Sequence, residues 1–161
     1  MVVSVKVKTN TEFLKTRLKK VERKIKSIIE KGILQGGFQL LDIIRTKTAK
    51  GIDFRDRPFA PYSQGYLKKL NKEGKSTKVD LFYTGRMMGN LTPNSAMKKT
   101  GKYKVTLGFS RAEERKKALF NQVLNDPKRE FFNFNNPTEK IIQKQFNRFV
   151  EKELKKARIW V

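Results

Sequence analysis

Leu14, Leu18, Val21, Ile25 and Ile28 follow one another at alternating intervals of four and three residues, and most positions between them are Lys, Arg or other polar side chains. That spacing writes one apolar seam along a helix whose remaining surface is charged. A seam this narrow fits a helix packed along a single neighbour or against another subunit, its outer face in water. Residues 11–50 are therefore expected to form one long helix. Gly32, Gly36 and Gly37 fall inside it. Each costs about 1 kcal/mol relative to Ala in a helix interior, which predicts a kink or break near Gly32–Gly37. Leu34, Phe38, Leu41 and Ile44 then resume an apolar face to about Ala49, and Gly51 is a natural stop.

Before the seam, Val3, Val5 and Val7 alternate with Ser4, Lys6 and Lys8, which predicts a half-buried strand or arm over residues 1–10. After it, Pro58, Pro61, Gly65 and Gly74 punctuate a loop over residues 51–78, with a short helical piece near Tyr66–Leu70. Residues 79–161 then read as a strand and helix core with a terminal helix. Thr84 is placed to cap a short helix running to Leu91, ahead of Pro93. Tyr103, Val105, Leu107 and Phe109 alternate as a strand. Ser110-Arg111-Ala112-Glu113 has capping-box form and opens a helix closed by Asn125-Asp126-Pro127. Glu130 to Phe134 reads as another strand. Asn136-Pro137-Thr138-Glu139 starts a last helix with Ile142, Phe146, Phe149, Val150 and Leu154 on one face. The expectation is a single α+β domain over residues 1–161. Long N-terminal and C-terminal helices pack around a small, mainly antiparallel sheet.

The charge balance bounds the partners. With 38 Lys and Arg against 15 Asp and Glu, the chain carries a formal net charge of +23. Such an excess repels itself and favours polyanions: nucleic acid, an anionic membrane or an acidic protein surface. The basic side chains concentrate at Lys19, Lys20, Arg23 and Lys24, and again at Lys152, Lys155 and Lys156. They can meet phosphates without reading sequence, meet acidic neighbours, or simply face water. Cys is absent, which removes disulfides and thiolate metal sites and fits a reducing compartment. The N-terminus lacks the pattern of a secretion signal, and no apolar run approaches the roughly 20 residues of a membrane span.

Chemistry is scarce. His is absent, so neither a Ser–His triad nor a His-ligated metal can form. Asp53 with Asp56, and Glu113 with Glu114, are the nearest paired carboxylates. Arg55 and Arg57 flank the first pair, which favours solvated ion pairing over a metal site, and helix capping accounts for Glu113. Gly74-Lys75-Ser76-Thr77 imitates the end of a phosphate loop, but Lys69 stands where the first Gly is required. No cofactor or metal is expected, and the chain reads as not an enzyme.

Several short motifs recur in a telling order. Phe59-Ala60-Pro61-Tyr62-Ser63 precedes Lys68 and Lys69. Leu81-Phe82-Tyr83-Thr84-Gly85-Arg86-Met87 comes next, then Val105-Thr106-Leu107-Gly108, Lys117-Ala118-Leu119-Phe120-Asn121, and Pro127-Lys128-Arg129-Glu130-Phe131-Phe132. In that order, over roughly residues 25–155, the chain resembles the virion-morphogenesis, or tail-completion, proteins of tailed bacteriophages. The family pattern has a loop aromatic, Pro and Ser or Thr, then an apolar strand with Thr-Gly-x-Leu, a strand ending in Gly, a helix, and Arg-x-Phe before a terminal helix. Met87 takes the usual Leu place, and Asp56-Arg57 stands where the family has Asp-Gly.

The resemblance implies a non-enzymatic part of the phage neck or tail top that joins head to tail as a homo-oligomeric ring. The implied partners are portal or adaptor, other neck proteins and tail proteins, with packaged DNA as a further candidate and no membrane. The implied location is the virion, assembled in the host cytoplasm. Phe59, Pro61, Ser63, Thr84, Gly85, Met87, Gly108, Arg129 and Phe131 carry over as motif or interface candidates. Physically, Pro58 and Pro61 stiffen a loop, Gly85 suits a sharp turn beneath a Thr84 cap, and Arg129 suits a two-pronged bond to a carboxylate. Ordinary turn and capping chemistry explains the same residues. The competing function is a basic, sequence-nonspecific nucleic-acid-binding protein, and a carboxylate-based metal nuclease stands further off.

Overall fold

Residues 11–159 are described by the computed structural model. The strand or arm expected over residues 1–10 lies outside them. Helix α1 spans Thr11–Ala49, α2 Gln64–Lys72, α3 Arg86–Gly89 and α4 Pro93–Ala96. An antiparallel hairpin follows, β1 (Met97–Gly101) with β2 (Lys104–Leu107), then α5 (Ala112–Leu119), a π-helical segment (Phe120–Leu124) and α6 (Asn136–Lys156). The class is α+β, with two long helices and a small antiparallel sheet, as the sequence leads one to expect.

The break expected at Gly32–Gly37 does not occur: α1 is continuous. The glycines serve a neighbour instead. A Cβ on Gly32 would stand 2.8 Å from Phe146 Cε2, and one on Gly37 2.8 Å from Met97 Sδ. A Cβ on Gly36 would meet Ile142 at 3.3 Å. The missing side chains let α6 and the hairpin approach the backbone of α1, and that packing holds the helix where propensity alone would interrupt it. Phe146 against Gly32 and Ile142 against Gly36 make α1 and α6 antiparallel; at the far end Lys47 Nζ donates to Thr138 Oγ1 at 3.3 Å.

The helix ends as expected. Gly51 has φ +79°, Ile52 N donates to Lys47 O at 3.0 Å, and Gly51 N donates to Thr48 O at 2.9 Å. This is the glycine-terminated wrap that satisfies the last carbonyls. The C-terminal half of α1 supplies Leu41 and Ile44 to a core shared with Phe59, Met88, Leu91, Phe109, Ala118 and Phe131. Phe109 lies 5.3 Å from Phe132 and 6.2 Å from Phe131, ring to ring. The N-terminal seam is only partly covered: Ile28 is buried, Val21 and Ile25 are half-buried, and Leu14 and Leu18 are 53% and 68% exposed.

Several local expectations need correction. Thr84 does not cap a helix to Leu91. Gly85, at φ +69°, holds the cap position with no side-chain bond, α3 stops at Gly89, and Thr92 caps a separate turn through Ser95 N at 3.3 Å. The box at Ser110 does not form either: α5 starts after Arg111 without a side-chain cap, because Ser110 N and Oγ are bonded to Asn90. The last helix is capped one residue earlier than expected, where Asn135 Oδ1 accepts from Thr138 N at 3.0 Å. Residues 130–134 are not a strand, and neither are residues 81–83, where the family pattern has its apolar strand; both segments are irregular chain, with Leu81, Phe131 and Phe132 laid on the core. The expected strand over Tyr103–Phe109 is shorter, and its partner β1 was not foreseen.

Candidate functional site

The loop over residues 51–63 is held by its own polar groups. Asp53 is buried, and its Oδ1 accepts from Arg55 N at 2.8 Å and Arg57 N at 2.9 Å. Its Oδ2 accepts from Arg57 Nε at 3.1 Å and Nη2 at 2.9 Å. The expectation of a solvated Asp53 thus gives way to a buried, fully bonded one. Asp56 pairs elsewhere, with Lys47 Nζ at 2.7 Å and Asn135 Nδ2 at 2.6 Å. These bonds hold its carboxyl below the usual carboxylate range, the one from Lys47 contributing most. With every oxygen so engaged, the two carboxylates do not converge on a shared cation. No metal-binding group of carboxylates exists among the described residues.

Beyond this loop lies a cleft of about 620 Å³ that brings together Pro61, Ser63, Thr84, Gly85, Met87 and Arg129. These arrive from the 51–63 loop, the turn before α3 and α3 itself, and the chain after the π-helical segment. Phe59 and Phe131 are not in the cleft but in the core beneath it. Gly108 does not line it and instead follows β2, its N donating to Ala96 O at 2.8 Å.

Arg129 is the organising side chain, 95% buried by its 5% exposure. It does not meet a carboxylate, as its two-pronged geometry suggested. Nε donates to Ala60 O at 3.3 Å and Nη2 to Pro61 O at 3.2 Å, while the guanidinium lies 5.0 Å from the Tyr62 ring centre. Arg129 therefore clamps the Pro61 loop to the chain that leads into Phe131. Two residues on, Phe131 enters the core.

Ser63 Oγ accepts from Tyr66 N at 3.3 Å and so caps α2, the local role its position allows. Tyr62 and Tyr66 meet edge to face at 4.8 Å. Burial, then the neighbouring phenol, pushes the Tyr62 hydroxyl above its ordinary range; burial, then Glu73, does the same to Tyr66. Tyr83 donates to Glu73 Oε2 at 2.8 Å, which raises it too. The aromatic rims were missed in the sequence, although Tyr62 and Tyr66, four apart across a helix start, are their signal. What this cleft offers is hydrogen bonding and aromatic contact.

The basic candidates sit apart from the cleft. Lys19, Lys20, Arg23 and Lys24 are exposed near the start of α1, and Lys152, Lys155 and Lys156 are exposed near the end of α6. The antiparallel pairing brings both sets to one end of the helix pair, where Arg17, Lys20, Lys24 and Arg158 border a common depression. The chain matches no family model, no curated protein and no solved structure.

Proposed function

We propose that this chain is a structural virion protein of the phage neck or tail top, joining head to tail through ring-forming protein interfaces, without catalytic turnover. The observation that carries the reading is the convergence of Pro61, Ser63, Thr84, Gly85, Met87 and Arg129 on one cleft. Six of the nine motif residues, drawn from three separated motifs, meet around one braced loop. A stiff loop with aromatic rims and little conformational freedom to lose is suited to being gripped by a neighbour. Phe120, exposed in the cleft lining, and the exposed Leu119, Val123 and Leu124 next to it in the chain add the kind of surface that protein contacts cover. A head-to-tail contact between copies closes into a ring when its rotation closes.

The test is mass measurement of the purified full chain at moderate salt, alone and with portal or tail extract. A discrete ring, or assembly only with the extract, supports the reading. A chain that stays monomeric in both settings defeats it.

The second reading is sequence-nonspecific nucleic-acid binding, and one observation favours it: the two basic sets meet at the same end of the α1–α6 pair. It predicts DNA affinity that collapses between low and physiological salt.

A further inference from the structure

A second depression, of about 460 Å³, runs between β2 and α6 over the middle of α1. Its floor is Gly32 and Gly36, one wall is Val105 and Leu107 of β2, and the other is Ile142 and Phe146 of α6. The lining is almost wholly apolar, which does not suit a phosphate backbone. β2 pairs with β1 alone, so its other edge has no strand beside it among the described residues. An unpaired strand edge next to an apolar trough is the arrangement that accepts an extended segment, backbone to the edge and alternate side chains to the trough.

The chain itself carries such a segment: Val3, Val5 and Val7 alternate with Ser4, Lys6 and Lys8. All three valines fall on one side of an extended chain. The lysines fall on the other, with Glu139 at the trough's rim to meet one of them.

Reach decides whose segment it is. Gly32 and Leu40, which bound the trough along α1, lie about 32 and 44 Å from Thr11 at the helical rise per residue. Fully extended, Val3 stands at most about 29 Å from Thr11, and Val7 about 14 Å. A molecule therefore cannot lay its own Val5 and Val7 in its own trough. A second copy can.

We infer that the trough between β2 and α6 is the docking slot for the Val3–Val7 segment of a neighbouring copy, added beside β2. The contact is head to tail, since the donor's N-terminal segment meets the acceptor's β2–α6 face. It rests on the ring reading above and names the interface that would build the ring.

The chain has no Cys, so a cross-link is clean. Val5→Cys with Gln143→Cys, an exposed trough residue, is expected on mild oxidation to give a covalent ladder extending beyond the dimer. Neither single variant can pass the dimer. A double variant that stays at monomer mass, whether linked within itself or not at all, overturns the inference. Deleting residues 2–8 leaves every described residue in place and is expected to abolish the oligomer, seen by mass. An oligomer of unchanged size after that deletion sinks the docking slot but leaves the ring reading standing. A parent chain that is monomeric both alone and with portal or tail extract defeats the ring reading itself.

Discussion

Arg129 shows what single residues contribute here. Its guanidinium satisfies two carbonyls of a loop almost seventy positions earlier in the chain. Removing it leaves those acceptors and a buried space without partners. Charged hydrogen bonds of this kind are worth about 1.5–3 kcal/mol each. Arg129→Met is expected to cost about 2–4 kcal/mol in denaturant unfolding, with Arg129→Lys recovering only part, since a compact ammonium cannot span two acceptors as a fork does. That Arg129 mattered was legible from the Arg-x-Phe order. What it bonds was not, because backbone carbonyls leave no trace in residue identities. Asp56 gives a pH prediction. Its carboxyl is held low by Lys47 and then Asn135, so the folded form takes up that proton less readily than the unfolded chain. The stability it adds is present above the ordinary carboxylate value and is lost as pH falls through the lowered folded value. Thermal melts of Asp56→Asn should therefore lie below the parent at neutral pH and converge with it in acid. A constant gap at every pH would contradict this.

Among the elements, α1 carries the main lesson. Its seam was readable because 3.6-residue periodicity survives any context, and Gly51 was readable as a stop because few residues adopt its φ. The three internal glycines misled, since intrinsic propensity says nothing about what presses on the helix from outside. Their spacing matches the places where α6 and the hairpin approach most closely. Helix propensity and packing make opposite forecasts for Gly32→Ala. Propensity favours Ala by about 1 kcal/mol, but the new Cβ meets Phe146 at 2.8 Å, and overpacking costs typically 1–3 kcal/mol. Gly32→Ala is expected to be destabilising overall. Gly65→Ala, in α2 with nothing within 4 Å of the new Cβ, should instead stabilise by about 0.5–1 kcal/mol. Chemical denaturation of the two variants side by side checks the contrast. β1 escaped notice for a different reason. Met-Lys-Lys-Thr-Gly is mostly exposed, so burial wrote no alternation into it, and only the pairing with β2 makes it a strand.

At the scale of the molecule, topology gathers part of the basic charge behind the net +23 at one place. Two basic stretches more than a hundred residues apart share one end of the α1–α6 pair only because the helices run antiparallel, a relation no local pattern encodes. If that end meets phosphates, each neutralised lysine there should remove about one released counterion from binding. The slope of log K against log salt would fall by about 0.9 per lost contact. Lys20→Gln, Lys24→Gln and Lys155→Gln together should then flatten the slope for duplex DNA by about 2–3. The same count of substitutions at Lys68, Lys72 and Lys78, exposed positions on and after α2, should change it little, whereas binding driven by overall charge alone would respond alike to both sets. Equal responses would make the charge a diffuse property of the whole surface. Unequal ones would give the helix-pair end a polyanion to hold, and a ring of copies would then present that end once per subunit.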